Sequence, residues 1–499
     1  MSEQILNDLP LFAPETALVV VLLLAILADL IFRKSPAVVA TVTVAGLILT
    51  AVLVLMQAGT HASIFSNMLA VDSFAFFFKL LIVFTAILIV IFSLHSSELN
   101  SSGRRLGEYY SLLLALTLGM MLMAGASNLL MMYLALELSS ISSYILSGYT
   151  REAQDSSEAS LKYVIYGALS SGLMLYGISV IYGITGSLDL YAINQALAKG
   201  GFNELTLLIA GVLAIAGFGY KISAVPFHYW TPDIYEGAPI TITAFLSVAS
   251  KAGGFAMMIR FFKVTFIDSS ILTLPAGAWA SLKGFDWVAV VAALSVLTMT
   301  LGNLVAIWQN NLKRLLAYSS IAHAGYMLMG LVVLNNEGLS AIMMYFVIYL
   351  FMNLGAFYIV MLIANKIGSE DIEEYKGIGP KAPFVTVALS IFLISLTGLP
   401  PTAGFVGKLY LFAALLNSGW VWLAVVGAIN SVISLYYYVR IFRNMYLRSD
   451  ERRANVSLEF GFTQKLVVLF LLIPTLLFGV YFTPLVQLAQ ASVRIFGTP

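Results

Sequence analysis

Residues 217–239 read GFGYKISAVPFHYWTPDIYEGAP, and the fold follows from how this stretch is read. It begins inside an apolar segment long enough to cross a bilayer. Lys221 lies within that segment, and Pro226 follows five residues later. Proline has no backbone N–H and its ring clashes with the preceding turn, so the helix must break or kink there. An ammonium group beside a broken helix, at membrane depth, is costly. It is expected to face a bundle interior or a water path and to have a function there.

Composition fixes the class around this stretch. The 499 residues are 60% hydrophobic and 10% charged, and apolar runs near membrane-spanning length recur throughout. That is the signature of an all-α polytopic membrane protein. There is no cysteine, which excludes disulfides, cysteine-ligated iron–sulfur clusters and thiolate zinc sites. The four histidines, His61, His95, His228 and His323, form no ligand pair at helical spacing, so no haem or metal site is expected. The N-terminal Met-Ser-Glu-Gln lacks a basic region, and the first helix reads as retained rather than as a cleaved signal.

The hydropathy pattern predicts 14 spans, at 15–32, 37–57, 73–95, 109–126, 128–149, 160–184, 205–228, 239–263, 287–308, 314–334, 339–365, 384–416, 420–441 and 463–488. Loops are short, so residues 1–499 form one membrane domain. Seventeen of the 26 lysines and arginines fall in or beside the loops after odd-numbered spans. On the other side fall Lys199, Arg260, Lys263, Lys283 and Arg494. This asymmetry puts both termini on the non-cytoplasmic side. The charged stretch from Glu370 to Lys381 is then a solvated cytoplasmic face or a contact with another subunit.

The twelfth segment is too long for one crossing. Its roughly 33 residues would extend ~50 Å, against a hydrocarbon core of ~30 Å. It contains LPPTAGFVGK, residues 399–408, so a second helix break is expected, with Lys408 just after it. Broken helices in spans seven and twelve, five apart, point to two inverted five-helix repeats. These are spans 4–8 (residues 106–263) and spans 9–13 (residues 287–447). A three-helix part, 1–105, precedes them, and a C-terminal helix, 460–499, follows.

Four cations lie inside spans: Lys79, Lys221, Lys251 and Lys408. Glu137 is the carboxylate near the middle of the fifth span. A charge at a helix centre costs ~2.5–3.5 kcal/mol even on lenient scales. Glu137, Lys221, Lys251 and Lys408 are therefore the candidate proton path. A structural ion pair is the alternative. Moving one proton against ~150 mV requires ~3.5 kcal/mol. Making and breaking one Glu–Lys contact in a partly buried site is of that size. Lys79, nearer the outer end of its span, is expected to snorkel. Ser319, His323 and Tyr326 form one polar face on the tenth span, for interhelical hydrogen bonds or a wetted path. His228 is either interfacial, with Tyr229 and Trp230, or a proton relay.

These residues resemble a known family, the antiporter-like subunits of respiratory complex I and the related multisubunit sodium/proton antiporters. The resemblance covers essentially the whole chain. It is carried by Lys221–Pro226 with the FHYWTPD that follows, by Ser250-Lys251, by LKRLLAYSSIAH at 312–323, and by GLPP at 398–401 through Lys408. The PDIYEGAP at 232–239, a lysine rather than a glutamate at 408, and an end soon after the last span point to one branch of it. The resemblance implies a proton-translocating subunit of NADH:quinone oxidoreductase in the bacterial inner membrane. Glu137 would modulate Lys221, the proton carrier of a first half-channel. Lys251 would connect toward the centre, and Lys408 would serve a second half-channel. The chain itself would hold no cofactor; FMN, iron–sulfur clusters and quinone would belong to partner subunits. Its partners would be the neighbouring membrane subunits of a hetero-oligomer, and lipids, with no nucleic acid. Two other functions compete with this one: a cation/proton antiporter subunit without redox partners, and a purely structural scaffold. Buried lysines repel sodium, and a scaffold leaves the central charges without a role.

Overall fold

The computed structural model describes residues 6–32, 36–100, 106–268, 274–275, 277–282, 284–449 and 458–497. Arg33, Lys34, Arg104, Arg105, Lys283, Arg452 and Arg453, all counted in the charge asymmetry, lie outside the described residues. Among the described residues, thirteen helices are long and apolar enough to cross a membrane. They are Leu6–Ile31, Ala37–Met56, Ser73–His95, Gly107–Gly125, Leu129–Ser147, Gln154–Thr185, Glu204–Ile222, Ile240–Thr265, Trp287–Ala306, Leu312–Val332, Asn336–Ile367, Val421–Leu447 and Phe462–Val480. The pair Pro383–Thr397 and Ala403–Asn417 makes one further crossing and is twelfth in chain order. The chain is thus an all-α membrane bundle, with spans 1–14 numbered in sequence. The exception among the described residues is a hairpin pairing Ala62–Ile64 with Leu69–Val71.

Two faces emerge. Residues 6–12, the hairpin, the short helix Leu190–Lys199 and segment 493–497 share one, here the terminal face. Phe65 N donates to Asp8 Oδ2 at 2.8 Å, and the Tyr191 hydroxyl donates to Phe496 O at 2.7 Å. The loops around 148–153, 230–239 and 366–382 form the opposite, basic face. Spans 8, 10 and 11 are enclosed by other helices along nearly their whole length, whereas spans 1, 2, 6, 13 and 14 present broad apolar faces outward. A helix that is apolar all round and enclosed sits in the middle of a bundle, and it is there that polar side chains can escape lipid.

The two breaks are built differently from the expectation in one respect. The seventh helix ends at Ile222, not 228, and a separate short helix, Trp230–Gly237, completes the segment. Ser223 caps it in the left-handed conformation, φ 63°. The freed backbone groups find partners: Ala224 N donates to Gly219 O at 2.7 Å, Trp230 Nε1 to Tyr220 O at 3.0 Å, and Val225 N to Thr298 Oγ1 of span 9 at 2.9 Å. In span 12 the helix stops at Thr397, Gly398 turns at φ 88°, and Gly404 N donates to Ser395 Oγ at 3.0 Å. A Cβ on Gly404 would stand 1.7 Å from Ser395 O, so only glycine lets the second half-helix start there. The last predicted span, 463–488, is also divided: Phe462–Val480 crosses, and Thr483–Ser492 is a separate helix on the terminal face.

Two buried ion pairs correct the sequence reading. Lys79 does not snorkel. It is 4% exposed and lies 2.6 Å from Glu15 Oε1 of span 1. Arg260, expected at a loop flank, is fully buried in span 8. Its guanidinium grips Asp72 at 2.7 and 2.9 Å and donates to Ala124 O at 3.1 Å. Asp72 also caps span 3 through Ala75 N and holds Phe496 N at 2.9 Å. Removing one partner of such a pair leaves the other charge uncompensated. Asp72→Asn is therefore expected to cost about 3–5 kcal/mol, seen as a lower thermal unfolding midpoint of the purified protein and less chain in the membrane.

Candidate functional site

Glu137 lies in the middle of span 5, where the serine-rich stretch 139–143 follows it. Its Oε1 is buried with no hydrogen-bond partner. One turn on, Ser140 accepts from Lys221 Nζ at 3.3 Å. Glu137 and Lys221 are within electrostatic reach of each other but form no direct ion pair among the described residues. Lys221 occupies the last turn of its helix, yet it sits near mid-height of the bundle. A Cβ on Gly254, near the middle of span 8, would meet the Lys221 stem at 3.2 Å. The break thus delivers a helix terminus, with its lysine, to the membrane interior.

Lys251 follows a turn of π-helix, Leu246–Ser250, inside span 8. Single π turns recur at functional sites. Nothing in the composition of this stretch signals it. Lys251 Nζ donates to Ser320 O at 2.6 Å and to Ser320 Oγ at 2.9 Å. Hydrogen bonds to a charged group contribute about 1.5–3 kcal/mol each, so two of them offset the ~2.5–3.5 kcal/mol of a charge at a helix centre.

From Ser320 the polar face of span 10 continues. His323 Nδ1 and the Tyr345 hydroxyl of span 11 are 2.7 Å apart. Ser319 meets the Tyr438 hydroxyl at 2.5 Å. The Tyr326 hydroxyl accepts from Asn303 Nδ2 at 3.1 Å. Each of the three therefore makes an interhelical hydrogen bond. Beyond them Lys408 Nζ lies 4.5 Å from the centre of the Tyr326 ring. It donates to Thr397 O, a carbonyl freed by the break, at 2.8 Å and to Ser431 Oγ at 3.0 Å. Spans 5, 7, 8, 10, 11, 12 and 13 thus contribute polar groups to the interior in the order Glu137, Lys221, Lys251, His323 and Lys408, all buried except Glu137, which is partly exposed. The partners Ser140, Ser320, Tyr345, Thr397 and Ser431 were missed in the sequence, because one more serine or tyrosine in an apolar helix carries no distinctive signal.

His228 departs from the interfacial reading. It is 3% exposed and its Nδ1 has no hydrogen-bond partner, while Tyr229 alone of the three aromatics faces outward. On the basic face the short helix 230–237 is pinned by ions. Asp233 lies 2.7 Å from both Lys162 and Arg314, and Arg314 reaches Glu236 at 2.7 Å. They surround a polar pocket of about 240 Å³. Beside it Lys313, also expected in a loop flank, is buried against Glu370 at 3.0 Å.

The fold and this line of ionisable groups define a multi-pass membrane protein with a charge-bearing interior. A family model described as NADH:quinone oxidoreductase/Mrp antiporter, TM matches residues 126–434. A Chloroherpeton thalassium protein named NADH-quinone oxidoreductase subunit N 2 is 50% identical over 496 residues, covering 97% of this chain and 94% of its own. A chain of respiratory complex I from Thermus thermophilus is 30% identical with a TM-score of 0.77, over 96% of this chain and 99% of that one. A chain of the Mrp complex from a Dietzia species shares the fold at 20% identity, with a TM-score of 0.79 over 99% and 97% of the two chains. The chain belongs to the family of NADH:quinone oxidoreductase and Mrp antiporter membrane subunits, in the branch whose members are named subunit N.

The pinned short helix has a definite pH dependence. Burial raises the Asp233 carboxyl, but its hydrogen bonds and charge contacts with Lys162 and Arg314 outweigh that and hold it below 3.8. A carboxylate so depressed contributes stability that is fully present above its ordinary value and is lost only as pH falls through the lower, folded value. Amide exchange in 230–237 is therefore expected to be protected with no carboxylate-linked change between about pH 5 and 8. Asp233→Asn is expected to remove the charge pairing and raise exchange throughout that range. Exchange measured by mass spectrometry checks both.

Proposed function

We propose that this chain is a proton-translocating membrane subunit of an NADH:quinone oxidoreductase, assembled with other membrane subunits of that complex in the bacterial inner membrane. The observation that carries the reading is how the buried cations are held. Lys79 and Arg260 are locked to carboxylates. Among the described residues, Lys221, Lys251 and Lys408 have no carboxylate within ion-pair distance and rest on hydroxyls and carbonyls. A lysine held only by neutral oxygens can give up its proton without stranding an anion. A lysine locked to a carboxylate cannot. Burial penalises the charged form, and an approaching carboxylate favours it. Glu137, one turn from the Ser140 that holds Lys221, is placed to act that way.

In this reading Lys221 serves one half-channel, Lys251 and His323 the link, and Lys408 the other. Spans 4–8 and 9–13 are the two inverted units. The basic face is cytoplasmic and both termini lie opposite. Electron transfer through FMN, iron–sulfur clusters and quinone occurs in partner subunits, and this chain binds none of them.

Lys221→Met in the assembled complex is expected to lower proton pumping by more than about tenfold, or ~1.4 kcal/mol in the limiting step, with assembly intact. Glu137→Gln is expected to impair pumping, and Glu137→Asp to keep part of it. Lys79→Met should instead lower stability and leave pumping per NADH unchanged in whatever complex assembles. Pumping is measured in proteoliposomes with NADH and quinone. Wild-type stoichiometry in Lys221→Met would remove that residue from the path. Co-purification with small membrane subunits, without flavin or iron, would replace this reading with a cation/proton antiporter.

A further inference from the structure

A second set of buried polar groups runs away from Lys251 toward the basic face, and the line from Glu137 to Lys408 does not use it. On span 8, Thr243 and Ser247 precede Lys251 at four-residue intervals. On span 11, Tyr349 and Asn353 are four residues apart and continue the face of Tyr345, which itself belongs to the line. Residues four apart share a helix face, and the two stripes meet: Asn353 Nδ2 donates to Ser247 Oγ at 2.6 Å. Thr243 Oγ1 donates to Tyr235 O at 3.1 Å, which joins the stripe to the short helix after the span 7 break.

Several atoms of this seam are buried and unpaired. They are the Tyr235 hydroxyl, the Tyr349 hydroxyl, Asn353 Oδ1 and Ser250 Oγ. All four residues are at most 1% exposed. The Tyr235 and Tyr349 hydroxyls both approach Ser320, the group that holds Lys251, without reaching hydrogen-bond geometry. The Tyr349 ring centre is 5.1 Å from that of His323. Burying a polar group unpaired is costly, so four in one seam is a large penalty unless water bridges them. Polar gaps with several facing partners are where buried water is found.

The seam leads outward. Beyond Thr243, span 8 begins at Ile240, which lines a basic-face pocket of about 330 Å³ together with Glu98, Asn365 and Glu370. Lys313 stands beside it, 3.0 Å from Glu370 and 3.2 Å from Ala238 O. A carboxylate-bearing pocket therefore stands at the basic-face end of span 8, one turn before Thr243, and the seam of hydroxyls runs from there to Lys251.

We propose that this seam is a separate proton-access route from the basic face to Lys251, with Tyr235, Ser247 and Tyr349 relaying protons through bound water and Asn353 fixing that water. The inference rests on the proton-translocating reading above. It adds that Lys251 exchanges protons with one aqueous face directly, and not only through Lys221. Each transfer passes a proton into a hydroxyl or water on one side as another leaves on the other, so no relay group keeps a charge; the net change is one proton from the aqueous face and Lys251 going from amine to ammonium, or the reverse.

The test uses the absence of cysteine from the chain. Ser247→Cys, in the complete complex reconstituted in vesicles of known orientation, is treated from either side with a small membrane-impermeant methanethiosulfonate reagent. Modification of this chain is read by mass spectrometry. Labelling from the basic face alone is expected, and filling the pocket by Asn365→Trp should prevent it. Tyr349→Phe and Asn353→Leu should each lower pumping by about tenfold and raise its solvent deuterium isotope effect. Asn353→Asp, which keeps the polar group, should restore much of the rate. A Ser247→Cys complex that resists labelling from the basic face overturns the route, as does unchanged pumping in both Tyr349→Phe and Asn353→Leu. If Ser247→Cys does not assemble, the two pumping variants decide. Normal pumping by Lys251→Met alongside basic-face labelling would refute the proton-path reading instead, so the two failures are distinct.

Discussion

A charge inside a hydrocarbon layer has to be satisfied by the protein's own atoms, and the arrangement of this bundle can be read as a set of answers to that demand. Some charges meet a carboxylate. The Arg260 guanidinium and Asp72 form a two-point pair that no rotation of either side chain improves. Others meet only neutral oxygens, as Lys251 does at Ser320. The first solution is rigid. The second leaves the cation dependent on hydroxyls that can turn and on neutral backbone carbonyls, and it is compatible with a cation that comes and goes.

The helix breaks belong to the same problem. An intact helix commits its backbone N–H groups, and one lone pair of each carbonyl, to its own hydrogen bonds, whereas a broken helix frees whole carbonyls for a buried ammonium group. Interrupting span 12 frees Thr397 O, and Lys408, on the second half-helix, folds back onto it. Interrupting span 7 places Lys221 in a final turn, against Gly254 and beneath the serines of span 5. Each break exposes backbone groups that would be intolerable in lipid. They are tolerable here because the enclosed spans 8, 10 and 11 surround the interior, and because neighbours such as Thr298 supply the missing partner.

Much of this was legible in the sequence. Glu137, Lys221, Lys251 and Lys408 stand out because charge at membrane depth is too costly to be incidental, and the two proline-rich breaks stand out because proline cannot continue a helix. The failures have physical reasons too. Lys79 reads as a snorkelling residue because its depth leaves that escape open, yet Glu15, more than sixty residues earlier in the chain, packs against it. Arg260 reads as a flank because hydropathy declines near the end of span 8, yet Asp72 and the C-terminal segment close over it. Lys313 reads as a loop residue, and Glu370 draws it inward. His228 reads as interfacial with its aromatic neighbours, but the chain reverses at the break and tucks it inside.

The sequence by itself determined which segments cross the membrane, which helices are interrupted, and which charges must have partners. These are local consequences of transfer free energy and backbone geometry, written in composition and spacing. Only the tertiary structure decided who those partners are. It alone separates the cations locked to carboxylates from those resting on serine and carbonyl oxygens, and it alone brings hydroxyls scattered along the chain against Lys221, Lys251 and Lys408. A hydrogen bond a few ångströms long between residues 69 or 188 apart depends on how enclosed helices are rotated against one another, and that rotation is set by the packing of the whole bundle at once, not by any one stretch of chain.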